Sequence, residues 1–184
     1  SLNALILSSD NAASNQPFLP QLGKLGASTA FGEPLTQPYI AEDGAQEQVY
    51  ANAVLYSPAD NPSQVLLRPL PLQLVIPRSE PETQRYGNRD GVGFYPVKDD
   101  LGYHVPLVFD AFIAAHGGMQ LSGEPISETL AQEENLYRQC FENYCLDYRP
   151  SAPQNQQVSL APLGQQYLEL LQQRQGENTP LTIS

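Results

Sequence analysis

The sequence predicts an α+β fold of two tandem repeats, each a short helix with a small antiparallel hairpin or sheet, packed as a pseudo-symmetric pair. Two observations carry that expectation. Gly-Glu-Pro followed by an aliphatic and a hydroxyl residue is written twice, as GEPLT from Gly32 and GEPIS from Gly123, an offset of 123 − 32 = 91 residues. The offset also holds on both sides of the motif. Upstream, Phe18, Leu22, Leu25 and Gly26 fall opposite Phe109, Ile113, His116 and Gly117; downstream, Gln48, Tyr50, Asn52 and Leu55 fall opposite Gln139, Phe141, Asn143 and Leu146. A small insertion in the second copy then sets Val65, Leu67, Pro69 and Leu70 against Val158, Leu160, Pro162 and Leu163. The chain has 184 residues, 41% of them hydrophobic. One unit alone would have little core, so the two are expected to pack face to face.

Each element has a local reason. Phe18, Leu22 and Leu25, like Phe109, Ile113 and His116, recur at i, i+4 and i+7, which places them on one face of a short helix. Pro20 suits a first helical turn, and Gly26 or the pair Gly117 and Gly118 supplies the left-handed residue that ends a helix. In the Gly-Glu-Pro turn, Gly32 and Gly123 permit unusual dihedrals, while Pro34 and Pro125 hold the preceding glutamate out of helix. A hairpin follows in each copy, QEQVY with AVLYSP and YRQCF with CLDYRP, turning around Asn52 and Asn143. QVLLRPL and QVSLAPL close the units as final strands. The expected boundaries are an extended N-terminal segment over 1–17, a first repeat over 18–71, a connector over 72–108, a second repeat over 109–164, and a C-terminal helix with a loose tail over 165–184. The connector opens apolar and becomes rich in Pro, Gly and Asp; the last segment carries the amphipathic stripe Leu163, Tyr167, Leu170 and Leu171.

The ordered set of motifs resembles the tandem LGFP-like repeat modules of bacterial extracellular and cell-envelope proteins. The stretches that carry the resemblance are FDAFIAAHGG, GEPIS, QCFENYCLDYRP and VSLAPLG in the second copy, and FLPQLGKLG, GEPLT, QVYANAVLYSP and VLLRPL in the first. It covers most of the chain outside the connector and the two ends. It implies a secreted or cell-surface location and a mostly noncatalytic role, in surface attachment or beside enzymes that act on the cell wall. One departure stands out: the aromatic residue usual inside the Gly-x-Pro turn is Glu33 in one copy and Glu124 in the other.

The formal charge of −11, from 20 acidic and 9 basic residues without a basic cluster, repels phosphate backbones and anionic lipid surfaces, so nucleic acid is not an expected partner. No apolar run approaches the roughly 20 residues a membrane span requires. The start, SLNALILSSD, has neither Met nor a basic leader region and reads as a processed or engineered terminus.

No phosphate loop, dinucleotide fingerprint, nucleophile elbow or His-Glu-x-x-His helix is present, and no cofactor or metal is expected. Cys140 and Cys145, the two cysteines, flank FENY and read either as a cross-strand disulfide around a four-residue loop or as two small, partly buried thiols. His116 reads as a structural core residue, and His104 either packs or is exposed. Glu33 and Glu124 are the sharpest acid–base candidates, because apposed copies could pair two carboxylates as glycoside hydrolysis requires. The plainer reading makes them surface turn residues. NRDG from Asn88 has calcium-type ligands but suits an ordinary turn equally. Tyr50, Tyr56, Tyr137, Tyr144 and Tyr148 offer rings for stacking on sugar or for strand packing. The expected function is therefore a noncatalytic extracellular or surface module contacting envelope glycan or an envelope protein. A subunit of a homo- or hetero-assembly, with LNALILSS as an edge strand, is the alternative, and an enzyme acting on cell-wall polymer is the third reading.

Overall fold

A computed structural model describes residues 17–24 and 29–178. The expected helix positions Leu25 and Gly26, the proposed edge strand LNALILSS and the tail over 179–184 lie outside the described residues. Among the described residues the chain is α+β, with five α-helices and three antiparallel sheets. The first sheet takes β1 (Tyr39–Ile40), β2 (Gln46–Val49), β3 (Val54–Ser57) and β4 (Leu66–Leu67) in chain order, behind helix α1 (Leu19–Lys24). The last sheet takes β7 (Leu130–Glu133), β8 (Leu136–Cys140), β9 (Cys145–Tyr148) and β10 (Val158–Leu160) in the same order, behind α3 (Leu107–Ala115) and α4 (Met119–Ser122). Helix α2 (Leu70–Gln73) follows the first sheet and α5 (Leu163–Asn178) the last.

The Gly-Glu-Pro turn is a clip on its hairpin. Gly32 and Gly123 have φ of 75° and 71°, where a side chain is strained. Past them, Pro34 bridges Tyr50 and Pro125 bridges Phe141. The carbonyl of Glu33 accepts from Ala51 N–H at 2.9 Å, and that of Glu124 from Glu142 N–H at 3.0 Å. Thr36 and Ser127 complete the clip: their hydroxyls accept the N–H of Val49 and Cys140 at 3.1 Å each, and their carbonyls accept the side-chain amides of Gln48 and Gln139. Asn52 and Asn143 reach back from the hairpin tips to the carbonyls of Ala30 and Leu121. Buried backbone groups need partners, and polar side chains at these places supply them.

Strand alternation sends neighbouring residues to opposite faces, and each face is covered. One core combines Phe18, Leu22, Tyr50, Leu55 and Leu67 with Phe109, Ile113, Phe141, Leu146 and Leu160. The other combines Val49, Val54 and Leu70 with Cys140, Cys145, Leu163, Tyr167 and Leu168. Both cores thus draw on both sheets. Gly164, in the first turn of α5, lies so close to the first hairpin tip that a Cβ there would stand 1.7 Å from the Tyr50 carbonyl oxygen, and Gln165 N–H donates to Ala51 at 3.1 Å.

The connector is more structured than its composition suggests. Residues 92–106 form a hairpin, β5 (Val92–Lys98) with β6 (Leu101–Pro106), turning at Asp99, whose φ is 56°. Gly102 permits the close pairing, since a Cβ there would lie 1.9 Å from the Tyr95 carbonyl. The expected boundary at 71/72 falls inside α2, and α3 begins at Leu107, within the expected connector.

Candidate ligand-binding groove

Helix α3 carries two stripes. Phe109 and Ile113 face the core, whereas Val108, Phe112 and His116, each four residues apart, lie together on a neighbouring face. That second stripe is the wall of an open groove of about 700 Å³. Thr29, Ala30 and Asn52 close one side from the first unit, and the β9–β10 loop closes the other through Gln154, Asn155, Gln156 and Gln157, with Ser159 beyond. From Leu146 to its partner Leu160 the chain runs 14 residues (160 − 146), against 12 (67 − 55) from Leu55 to Leu67 in the first sheet, and the longer loop forms part of the wall.

His116 is corrected from a core residue to a groove residue. It sits at the C-cap of α3, half-buried, because Gly117 and Gly118 with φ of 100° and 72° turn the chain there. Its ring stacks on Phe112, with centroids 4.0 Å apart and an interplanar angle of 26°. Nδ1 lies 2.7 Å from the Phe112 carbonyl oxygen, to which it must donate. In the neutral ring this leaves Nε2 as an acceptor. Helix α3 is itself fixed against β5: the Tyr95 hydroxyl donates to Asp110, and Gly93 leaves room for that carboxyl group. Burial raises the pKa of Asp110, partly offset by the Tyr95 bond, and pushes that of Tyr95 up to about 12.

Among the described residues no Asp, Glu, Lys or Arg lines the groove, although the chain has 29 such residues, 20 acidic and 9 basic. The surface instead offers amides, hydroxyls and one stacked ring pair. Such a surface has both donors and acceptors to offer a neutral polar group and no unpaired charge to desolvate.

A second, smaller hollow of about 280 Å³ lies on the far side of Val108, lined by Pro106, Val108, Phe109, Thr129, Tyr137 and Tyr148. Tyr137 and Tyr148 are directly opposed across β8 and β9, with ring centroids 6.5 Å apart. The structure therefore brings together two of the five tyrosines singled out for stacking or packing. It does not add Tyr50 or Tyr144, which are 2% and 1% exposed and pack in the core. Tyr56 instead lies under the Arg68 guanidinium, 3.8 Å from its ring centroid.

Glu33 and Glu124 are exposed, each on the clip of its own sheet, and neither makes an ion pair among the described residues. Neither lines the groove or the hollow. Asp90 of NRDG turns its carboxylate back to the Gly87 N–H at 3.1 Å. His104 is buried as a structural acceptor: its Nε2 takes the N–H groups of Arg85 and Tyr86 at 3.0 and 3.3 Å, and its Nδ1 faces Glu128 at 3.0 Å. Cys140 and Cys145 form a disulfide between directly paired residues of β8 and β9. Among the described residues no helix is long and apolar enough to cross a membrane.

Sequence reasoning missed the groove because its residues come from four separate stretches, 29–30, 52, 108–116 and 154–160. A signal was present in α3, where Val108 and Phe112 are apolar outside the face that packs the core. Compared with known protein families the chain matches none, and no curated protein matches it either.

Proposed function

We propose that this protein is a noncatalytic binding module of a secreted or cell-surface protein, a tandem pair of LGFP-like repeats that holds an uncharged glycan in the groove beside α3. The observation that carries the reading is the groove's chemistry: amides from 154–157 and Asn52 surround the Phe112–His116 stack, and among the described residues no ionisable acid or base of the Asp, Glu, Lys or Arg type lines it. Sugars present hydroxyls that both donate and accept, along with apolar ring faces, and this lining answers both. The repeat reading is supported by the recurrence of the clip, the hydrogen bonds and the strand order at the same offset. The disulfide fits an oxidising, extracellular compartment. A bacterial source rests on the LGFP resemblance alone.

The test is co-sedimentation with insoluble bacterial cell-wall polysaccharide. The wild-type protein and the pair Glu33→Gln, Glu124→Gln pellet alike, while Phe112→Ala and His116→Ala stay in solution, and no reducing ends appear. Loss of sedimentation in the glutamine pair, or hydrolysis that the pair abolishes, would favour the enzyme reading. One observation supports the alternative of a surface assembly: β7 is an edge strand, and all four of its residues, Leu130–Glu133, are exposed.

A further inference from the structure

We infer that the Tyr137–Tyr148 hollow is a second subsite of the same binding site, and that it selects glycan chains bearing N-acetyl groups; this rests on the glycan reading of the groove. Val108 lines both cavities, so the groove and the hollow adjoin across the first turn of α3. From Val108 to His116 the helix axis advances about 12 Å at about 1.5 Å per residue. A ligand that reaches from the His116 end into the hollow must therefore be a chain of several rings.

The two cavities differ in chemistry, and the difference names the substituent. The groove is rich in amides, but the hollow offers Pro106, Val108, Phe109 and two tyrosine rings, with the Thr129 hydroxyl the one aliphatic polar group. A hydroxyl-covered sugar gains little from such a lining, because its hydroxyls would lose water without partners. An acetamido group fits better: its methyl packs on the aliphatic wall and the rings, while its amide stays at the open mouth of the hollow and keeps its water. Among the described residues neither cavity has a charged lining residue, so the chain it takes is uncharged along this stretch. Charged polymers of either sign would meet nothing to pair with inside, and anionic ones would also meet a protein of charge −11.

Calorimetry with two tetrasaccharides, the N-acetylglucosamine tetramer and cellotetraose, tests the assignment. The wild-type protein should bind the acetylated chain about tenfold more tightly, equivalent to about 1.4 kcal/mol. Tyr137→Ala alters a ring that is 40% exposed, and it should erase that preference, bringing the ratio of the two affinities to about one. Saturation-transfer NMR on the wild-type protein gives a readout independent of any variant, with the N-acetyl methyl protons expected to receive the strongest transfer. Equal affinity for the two chains, or transfer confined to ring protons, overturns the second subsite while leaving the glycan reading intact. Binding of neither chain overturns both. Binding of an extended peptide in place of both, with β7 amides protected from exchange, would assign this face to strand addition instead.

Discussion

The two four-stranded sheets solve the same problem with different side chains, and where they differ shows what the fold demands. The clip is the same in both: glycine at positive φ, proline bridging the hairpin, a hydroxyl residue and a glutamine satisfying the backbone. The covalent and ionic contacts are not. Val49 faces Val54 at the end of the first hairpin, where Cys140 and Cys145 are joined in the second. In the first sheet a buried carboxylate, Glu47, meets Arg68 from beyond β4 at 2.5 Å and accepts from the hydroxyls of Tyr39 and Tyr167. In the second, the position of Glu47 holds Arg138, which pairs across the ladder with buried Asp147 at 2.6 Å. Backbone partners have fixed directions and recur by type. A packed or ionic pair can be exchanged for another, provided that both members change together.

The largest expected effect comes from the place where the halves touch. Gly164→Ala pushes a methyl group into the Tyr50 carbonyl and should lower unfolding free energy by about 3 kcal/mol or more, read by urea denaturation. Wild-type stability in this variant would mean that α5 does not dock on the first hairpin as described.

Arg138→Ala comes next, at about 3 kcal/mol, since it leaves the Asp147 carboxylate buried with only Arg149, 3.8 Å away, to answer it. Arg68→Ala should cost less, because Glu47 keeps two tyrosine hydroxyls. The reverse order would break the comparison between the two charge pairs.

Alkaline pH should separate the sheets at Tyr50, whose counterpart is Phe141. Burial raises the Tyr50 pKa to about 12, so below pH 10 both folded and unfolded chains keep the proton and stability is whole. Above that the unfolded chain ionises first, and about 2 to 3 kcal/mol is lost as pH rises toward 12. Tyr50→Phe should blunt this loss in pH-dependent denaturation. An identical pH profile would show that Tyr50 does not contribute.

Replacing the disulfide by the valine pair of the other sheet, Cys140→Val with Cys145→Val, should cost about 2 kcal/mol, since the loop it closes is short. Thermal unfolding of a folded double variant measures it. The smallest effect belongs to Glu33→Gln with Glu124→Gln, within about 0.5 kcal/mol, since these carboxylates are exposed and make no ion pair among the described residues. A larger loss in the same assay would give the motif's glutamates a structural partner.

Much of this architecture was legible in the chain. The two hairpins, their closing strands and the core positions Phe18, Leu22, Phe109 and Ile113 follow from spacing, because period and turn chemistry are local properties of a strand or helix. The glycine of the Gly-Glu-Pro turn was legible too: Gly32 and Gly123 do sit at positive φ, whereas the clip's bonds to the hairpin were not foreseen. The connector hairpin was not, because Pro96 and three glycines within 91–102 look like loop, while Asp99 and the pairing of Gly102 under Tyr95 make a turn and a tight ladder of them. Tertiary structure alone decided the rest. It buried Tyr50 and His104, brought Tyr137 beside Tyr148, and set Asn52 and Gln154 around the exposed face of α3. Sequence determines what each short segment prefers. A groove is the space left between segments far apart in the chain, and its shape exists only once their packing has fixed the distances.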